Sequence, residues 1–281
     1  MNRRTFLKKS GILAAAASLP LLYSWQIEPF WVEFVQLDMP IKNLPDHLEG
    51  KTLMQISDLH VGNRFDWKFL TESFEEAKKY QPDFVVYTGD FVNSGTPYEL
   101  ESLQTVLHDA VRGKIATLGI LGNHDYGVNW AENHIADQVA AIAENNGIKM
   151  LLNHSESVSG LNFIGFEDLW SSRFDSQTLE IKFNDSQANI VLCHNPDACD
   201  LEIWNGYSSW ILSGHTHGGQ CRIPGVGASL LPIKNKLYVS GKFDLGNGRT
   251  LYVNRALGHS LQVRFMVRPE ITLFTLRKSI S

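Results

Sequence analysis

Residues 52–60 read TLMQISDLH, a short apolar segment that runs directly into two side chains able to bind a metal, Asp58 and His60. A short, largely apolar run of this length is typical of a buried strand. An Asp-x-His triplet alone is more typical of a solvated loop. It becomes informative only if other segments of the chain repeat the arrangement.

Four further segments repeat it. Each places potential ligands directly after an apolar run: Gly89-Asp90 after FVVYT, Gly122-Asn123-His124-Asp125 after residues 114–121, His194 after ANIVLC, and GHTHGG (214–219) after SWILS. Taken singly they have ordinary interpretations, as turns, helix N-caps or a buried core histidine. The His-x-His pair is stronger, because residues i and i+2 of an extended segment share a face. Ligand sites form at the carboxyl ends of strands in open α/β sheets, so the set predicts one site.

The apolar periodicity predicts a mixed α–β fold. Strands are expected at 52–57, 84–88 and 114–121, and helices at 67–80, 99–111 and 131–145. The second half is strand-rich, with strands expected at 161–166, 189–193, 209–212, 250–253, 262–267 and 271–276 and a helix at 196–204. This order favours two packed sheets with helices outside them. Residues 26–49 are interpreted as an N-terminal strand and lead-in, and residues 50–281 as one domain.

The first 25 residues have the composition of a targeting segment. Arg3-Arg4 is followed by Phe6-Leu7-Lys8 and then by the apolar stretch 11–22, as in a twin-arginine export signal. A basic amphipathic first helix is the alternative. Tyr23 and Trp25 would also suit an uncleaved anchor at a membrane interface. We therefore expect passage through the twin-arginine translocase to the periplasmic or cell-envelope face, with the cytoplasmic face of the inner membrane as the alternative.

The charge and cysteine counts narrow the function classes. The chain of 281 residues has a formal net charge of -5, and residues 26–281 keep 21 basic and 30 acidic residues, a net charge of -9. A net charge this negative argues against a surface that binds nucleic acid. Three cysteines are too few for a disulfide framework, while ten histidines remain to be explained. If the substrate is anionic, bound metal ions are the obvious source of local positive charge.

The five segments together resemble the calcineurin-like metallophosphoesterases, whose motifs are DxH, GD, GNH[DE], H and GHxH. The wording of SDLHVG (57–62), CHNPD (193–197) and SGHTHGGQCRIP (213–224) resembles the branch of YaeI-like and YkuE-like bacterial phosphodiesterases. The resemblance runs from about residue 50 to the C-terminus. It implies a four-layer α/β/β/α sandwich of two mixed sheets flanked by helices.

The resemblance also implies a dinuclear centre of Mn, Fe, Zn, Co or Ni. Its ligands would be Asp58, His60 and His217 for the first ion, Asn123, His194 and His215 for the second, and Asp90 as a bridge. A metal-bridging hydroxide would attack phosphorus in line with the departing oxygen. His124 would be the general acid, and Asp125 would orient its imidazole through a hydrogen bond.

Contacts to substrate are less specific. His259 and Arg222 are candidate substrate-binding residues, as is Asn254-Arg255, although surface ion pairs are the plainer interpretation of the arginines. The loop Asp168-Leu169-Trp170 is expected either to flank the site or to touch lipid. The remaining histidines are expected at the surface: His47, His108, His134 and His154.

The function implied is a phosphodiesterase or pyrophosphatase acting on a phosphate-ester small molecule or a lipid headgroup. The alternatives are a UDP-2,3-diacylglucosamine pyrophosphatase of lipid A synthesis and a phosphomonoesterase, which would share the same metal core. A non-catalytic metal-binding scaffold is disfavoured because no ligand is missing, and a nuclease because of the acidic body. We expect a monomer that contacts a membrane surface.

Overall fold

The computed structural model describes residues 18–62, 64–178, 182–228 and 231–279. The predicted twin-arginine motif at Arg3-Arg4 lies outside these residues. The first described element is a helix, α1, over residues 18–26. In the described part of the chain, no helix combines the length and apolar character needed to cross a membrane.

The remaining helices and strands follow the predicted alternation closely in the first half of the chain. In chain order they are β1 (Glu33–Ile41), β2 (Thr52–Ile56), α2 (Lys68–Lys78), β3 (Phe84–Thr88), α3 (Pro97–His108), β4 (Ala116–Ile120), α4 (Asn133–Asn145), β5 (Lys149–Met150), β6 (His154–Val158), β7 (Leu161–Gly165), β8 (Ala188–Leu192), β9 (Trp210–Ser213), β10 (Arg222–Ile223), β11 (Gly227–Ala228), β12 (Gly241–Asp244), β13 (Thr250–Val253) and β14 (Glu270–Lys278).

Two six-stranded sheets carry the fold. The first has the order β1-β14-β2-β3-β4-β5 and the second the order β12-β13-β9-β8-β7-β6, while β10 and β11 form a separate ribbon. Strands β2 to β5 are parallel, and so are β7, β8, β9 and β13. The parallel strands of each sheet therefore end at a common edge, where their following loops meet.

The two sheets pack face to face. Between them lies an apolar cluster that includes Leu53 and Phe84 from the first sheet and Phe163, Ile190 and Leu212 from the second, all fully buried. Close packing of this kind between two sheets is a main source of apolar burial, worth roughly 25 cal/mol per Å² removed from water. The packed pair confirms the predicted two-sheet architecture.

The outer faces are covered differently. Helices α2, α3 and α4 bury Phe74, Leu103 and Val139 against the outside of the first sheet. The outside of the second sheet is covered by a cluster to which Trp204 and Tyr207 contribute.

The helix predicted at 196–204 is wrong. Only Pro196–Asp200 is helical in this segment, and it forms a 3-10 turn. Leu201 is extended there with ψ 154, and Trp204 donates its Nε1–H to the carbonyl of Ala198 instead of continuing a helix.

The strand predicted at 262–267 is wrong. Only Phe265 makes an isolated bridge, to Cys221, and Met266 has φ 58, which interrupts an extended chain. The backbone N–H of Arg264 donates to Ser24, so this segment is held by loop contacts. Its alternating apolar residues imitated a strand pattern.

Strand β1 is part of the first sheet and not a separate lead-in. It pairs with β14 in parallel over its whole length, from Glu33 opposite Glu270 to Ile41 opposite Lys278. Within the segment 26–49, Phe34 lies in the strand, whereas Phe30 lies in the preceding 3-10 turn. The folded unit thus begins before residue 50.

Candidate metal centre

The predicted ligands meet where the parallel strands of both sheets end. Asp58, Asp90 and Asn123 follow β2, β3 and β4 of the first sheet, and His194 and His215 follow β8 and β9 of the second. Backbone hydrogen bonds join the loops within each sheet. Asp58 N–H donates to Gly89 O at 2.9 Å, and Gly214 N–H donates to His194 O at 3.1 Å. All seven predicted ligands are buried: Asp58, His60, Asp90, Asn123, His194, His215 and His217.

A first group consists of Asp58, His60 and His217. The Oδ1 atom of Asp58 lies 3.3 Å from Nε2 of His217 and 4.0 Å from Nε2 of His60. The two Nε2 atoms are 2.9 Å apart. Three donor atoms therefore converge on one small volume, as the ligands of a bound ion do.

A second group consists of Asp90, His194 and His215. The Oδ2 atom of Asp90 lies 3.2 Å from Nε2 of His194, and that nitrogen lies 3.2 Å from Nδ1 of His215. The same Oδ2 atom is 3.5 Å from Nε2 of His60, a member of the first group. Asp90 therefore stands between the two groups, where a bridging carboxylate would stand.

Two backbone carbonyls fix the tautomers of the second group. Nδ1 of His194 is 2.7 Å from the carbonyl oxygen of Thr88, and Nε2 of His215 is 3.1 Å from that of Pro232. A carbonyl only accepts, so each of these nitrogens carries the proton. When His194 is deprotonated, the other two nitrogens direct lone pairs at each other across 3.2 Å, an arrangement that a shared cation satisfies.

Asn123 fits the same purpose. Its Oδ1 atom is buried and has no hydrogen-bond partner in the described residues. A buried carbonyl oxygen without a donor costs free energy unless something positive approaches it. A set of carboxylate, imidazole and amide donors suits Mn, Fe, Zn, Co or Ni and disfavours metals that select thiolate.

The ligand loops adopt backbone conformations that side chains other than glycine rarely take. Positive φ angles occur at five of the predicted ligands: Asp58 (54), His60 (47), Asp90 (55), His215 (70) and His217 (51). Each such residue costs on the order of 1–3 kcal/mol, and such residues cluster at functional sites. The strained backbone at these positions therefore lowers the stability of the fold and turns the ligand side chains inward.

Two motif glycines are required by close approach. A Cβ atom at Gly122 would collide with Asp90, and a Cβ atom at Gly214 would collide with Ser57 and Asp58. The glycines of the GNHD and GHTH segments therefore leave room for the carboxylates of the two groups.

The electrostatics separate the buried groups into charged and neutral forms. Burial raises the pKa of Asp58, but the hydrogen bond and charge of His217 outweigh it and lower that pKa to about 2. Burial lowers the pKa of His60 well below its ordinary value and lowers that of His215 to about 3, the latter with help from the charge of His194. A neutral His60 and His215 beside an ionised Asp58 are in the protonation states in which these side chains bind metals. Burial lowers the pKa of His194, but the charge of Asp90 and its hydrogen bond outweigh it and raise that pKa well above its ordinary value, so a bound ion must displace a proton from His194.

His124 lies beside both groups. One of its ring nitrogens is within 4.8 Å of donor atoms of His60 and Asp90, and its ring centroid is 4.9 Å from that of His60. Its Nδ1 atom is 2.7 Å from the carbonyl oxygen of Asn93, and its backbone N–H donates to Asp90 at 2.9 Å.

The predicted hydrogen bond from Asp125 to the His124 imidazole is wrong. Asp125 accepts backbone N–H groups instead, from Phe91 at 2.8 Å, Val92 at 3.1 Å and Gly122 at 2.9 Å. It ties the loop after β3 to the loop after β4, and the carbonyl of Asn93 orients the imidazole.

A cavity of about 410 Å³ opens onto the centre. Asp90, Asn123, His124 and His215 are among the residues that line it, and apolar side chains form much of the remaining wall: Trp130, Trp170, Leu231, Pro232, Leu261 and Val263. Trp170 contacts His215 with ring centroids 4.7 Å apart and stacks on Trp130 at 4.9 Å. The loop at 168–170 therefore flanks the centre as predicted.

The predicted substrate contacts lie elsewhere. His259 is fully buried among the rings of Phe30, Phe65 and Phe69, so the prediction that it touches substrate is wrong. The Arg222 guanidinium donates to Gly218 O at 3.0 Å and to Ser240 and is not part of the cavity wall.

The side chains of Asn254 and Arg255 are also held by other residues of the protein. Arg255 is held by Glu270 and Glu33. Asn254 donates its Nδ2–H to Thr272 at 2.9 Å inside the protein. The four histidines predicted at the surface are exposed: His47, His108, His134 and His154.

Arg264 is a structural residue that the sequence did not reveal. It is fully buried, and burial lowers its pKa to about 9. Its guanidinium donates to the carbonyl oxygens of Gly258 and Arg255, each at 2.8 Å, and its Nε donates to His259 at 3.2 Å. Because Gly258 N–H donates to Asp58 O at 2.8 Å, Arg264 supports the backbone of a predicted ligand.

Comparison with known proteins gives consistent relatives. Residues 51–219 match the profile of a family described as calcineurin-like phosphoesterase. The chain is 28% identical to the metallophosphoesterase YkuE of Bacillus subtilis (strain 168), with 99% of each chain covered. It is 28% identical to the phosphodiesterase YaeI of Escherichia coli (strain K12), with 98% of this chain and 99% of that one covered. It is 27% identical to the UDP-2,3-diacylglucosamine pyrophosphatase LpxG of Chlamydia trachomatis serovar D, with 93% and 94% covered.

Proposed function

The chain belongs to the calcineurin-like phosphoesterases, hydrolases of phosphoric esters, and from that premise we propose that it cleaves a phosphodiester or pyrophosphate bond at the centre described above. The observation that carries the proposal is the position of Asp90, whose Oδ2 atom is 3.5 Å from His60 and 3.2 Å from His194. One carboxylate thereby joins two groups of ligands.

The residues divide between two divalent ions. Asp58, His60 and His217 would hold one ion, and Asn123, His194 and His215 the other, with Asp90 shared. When bound, such ions lower the pKa of water toward neutrality and offset the negative charge that develops on a phosphoryl group. The chain's own contribution is to keep His60 and His215 neutral and to hold Asp58 and Asp90 ionised in a buried site.

We assign to His124 the role of protonating the leaving group. Because Nδ1 is committed to the carbonyl of Asn93, Nε2 is the nitrogen that can donate a proton to a departing oxygen. His124 is more accessible than its neighbour Asn123, which is buried. Asp125 acts on this chemistry only through the backbone that it ties together.

The cavity wall favours a diester over a monoester. No lysine or arginine lines the cavity among the described residues. A phosphate monoester carries close to two negative charges at neutral pH, whereas a diester carries one, so two ions without further cations balance the charge of a diester more completely. The apolar wall also accommodates an organic group on each side of the phosphorus.

A pyrophosphatase acting on an amphiphile is the second candidate. The similarity to LpxG, which is named for UDP-2,3-diacylglucosamine, supports it, and so do the tryptophans Trp130 and Trp170 beside the metal ligands. These rings offer apolar area for an acyl chain or a flat face for a base.

The test compares two chromogenic substrates with metal-loaded protein. We expect hydrolysis of bis-p-nitrophenyl phosphate to exceed that of p-nitrophenyl phosphate and to be abolished in Asp90→Asn. Asp109→Asn, at a half-exposed carboxyl group that lies 3.3 Å from Nδ1 of His108, serves as the matched control. Absence of hydrolysis of both compounds and of a nucleotide-sugar lipid would contradict the proposal.

Export is a further part of the proposal. It is supported by Arg3-Arg4 and the apolar stretch that follows them. Cell fractionation of the wild-type chain and of a variant with both arginines changed to lysine tests it, since the variant should stay in the cytoplasm. An unchanged distribution between fractions would contradict it.

A further inference from the structure

The N-terminal end of the described chain exposes a group of apolar side chains. Six of them are at least half exposed and are called the N-terminal apolar face: Leu19, Leu21, Leu22, Trp25, Ile27 and Trp31. Single exposed apolar residues are common, but grouped ones mark a surface that binds something.

This face lies beside the cavity that opens onto the candidate metal centre. The carbonyl of Ser24 accepts the N–H of Arg264 at 2.8 Å, and the carbonyl of Trp25 accepts the side-chain amide of Gln262 at 3.1 Å. Leu261 and Val263, from the same segment, line the cavity, and Leu261 is itself more than half exposed. One short segment thus contacts helix α1 on one side and the cavity on the other.

Cationic groups border the face, although the body of the protein is acidic. The Arg268 guanidinium lies 4.1 Å from the centroid of the Trp31 ring, and Arg64 donates to the carbonyl of Ser260 at 3.1 Å. Two acids nearby already have partners: Glu28 is buried and accepts the N–H of Val267 at 2.6 Å, and Glu33 pairs with Arg255 at 3.1 Å. These contacts leave positive charge at the edge of an apolar surface.

Residues 1–17, which precede the face in sequence, also combine basic and apolar side chains. Residues 1–17 contain no acid and four cations, and the exposed leucines of α1 follow them in sequence. The four cations are Arg3, Arg4, Lys8 and Lys9. Apolar area combined with basic groups is the combination by which peripheral proteins bind anionic lipid. A second copy docked by two-fold symmetry would bring its own basic groups to the same edge, where like charges would repel, so a dimer gives no reason for them.

We propose that the N-terminal apolar face binds the surface of an anionic lipid bilayer and holds the mouth of the cavity against it. The binding does not depend on catalysis. Only its consequence, that phosphoesters in the membrane reach the centre from the lipid side, rests on the proposed function.

The test is vesicle co-sedimentation of the full chain. The probe is phosphatidylcholine vesicles with roughly 30% phosphatidylglycerol. We expect the triple variant Leu21→Glu, Leu22→Glu, Trp25→Glu to bind at least about tenfold more weakly than the wild type, because it removes three apolar anchors and adds three negative charges. The double variant Tyr98→Glu, Leu201→Glu, at exposed apolar residues outside the face, should bind within about twofold of the wild type.

Two further measurements distinguish lipid binding from a damaged catalytic centre and from dimer formation. Hydrolysis of bis-p-nitrophenyl phosphate without vesicles reports on the catalytic centre alone, and all three proteins should show equal rates. Equal vesicle binding by the triple variant and the wild type would overturn the inference. The inference would also be overturned if the wild type did not bind vesicles but formed a dimer in sedimentation velocity, and the triple variant did not form that dimer.

Discussion

Replacing Asp125 by asparagine isolates what this buried carboxylate does. In the structure its Oδ1 atom accepts the N–H groups of Phe91 and Val92, and its Oδ2 atom accepts that of Gly122. An asparagine can offer one oxygen to the first pair, but its NH₂ group must then face the N–H of Gly122. One buried donor loses its acceptor and meets another donor.

The expected size follows from these three bonds. A buried donor left without a partner costs about 1–3 kcal/mol, and the two remaining bonds weaken when the acceptor loses its charge. Burial, with a contribution from the charge of Asp90, raises the pKa of Asp125 to about 8, so an ionised Asp125 bears a desolvation cost that the variant removes. The comparison is made on metal-loaded protein, because two bound cations favour the carboxylate form at pH 7. We expect a net loss of about 1–3 kcal/mol in the free energy of unfolding.

Urea unfolding at pH 7 measures that loss, and metal analysis accompanies it. Because Asp125 ties together the loops that carry Asp90 and Asn123, Asp125→Asn should also bind metal more weakly. Asp109→Asn should change the free energy of unfolding by less than about 0.5 kcal/mol. If Asp125 instead oriented the His124 imidazole, the variant would keep its stability and shift the limb of the pH–rate profile that reports on His124. That result would refute the reasoning.

Three further predictions use other residues of the centre and its surroundings. His124→Ala should lower turnover by about 10²- to 10⁴-fold while the protein still binds two ions, and loss of an ion would show instead that His124 is a ligand. Gly122→Ala should lose metal because its Cβ collides with Asp90, whereas Gly50→Ala, where φ is positive but the space around the Cβ is open, should cost only about 1 kcal/mol and keep both ions. Glu167, which accepts the hydroxyl of Tyr126, has its pKa raised by burial, so the wild type should lose stability relative to Glu167→Gln as the pH rises from 4 to 7. Urea midpoints at the two pH values check this last point, and a difference that does not change with pH would contradict it.

The strands that carry the centre could be predicted because each is an apolar run that ends in a potential ligand. FVVYT ahead of Gly89-Asp90 is an example, and the predicted bounds 84–88 are those of β3. The partition of ligands between two ions came from the resemblance, and the distances around Asp90 agree with it. Strand β6 was not predicted, because HSESV is polar at an edge of the second sheet and has no apolar alternation.

Other features could not be predicted because they depend on contacts distant in sequence. The positive φ angles at His215 and His217 arise from the meeting of loops, and no local propensity favours them in histidine. The partners of Asp125 lie up to 34 residues away. Arg264 is buried because backbone carbonyls and the His259 ring surround its guanidinium, whereas the sequence around it alternates like a strand. In each case tertiary contacts override the local pattern.

The most direct test of the central claim is the number of Mn²⁺ ions that bind to the metal-free chain, measured by isothermal titration with the bound metal checked by elemental analysis. Two buried groups of ligands that share Asp90 predict two ions per chain for the wild type and fewer for Asp90→Asn. A wild type that saturates with one ion or none, or an Asp90→Asn variant that still binds two ions with unchanged affinity, would contradict the account.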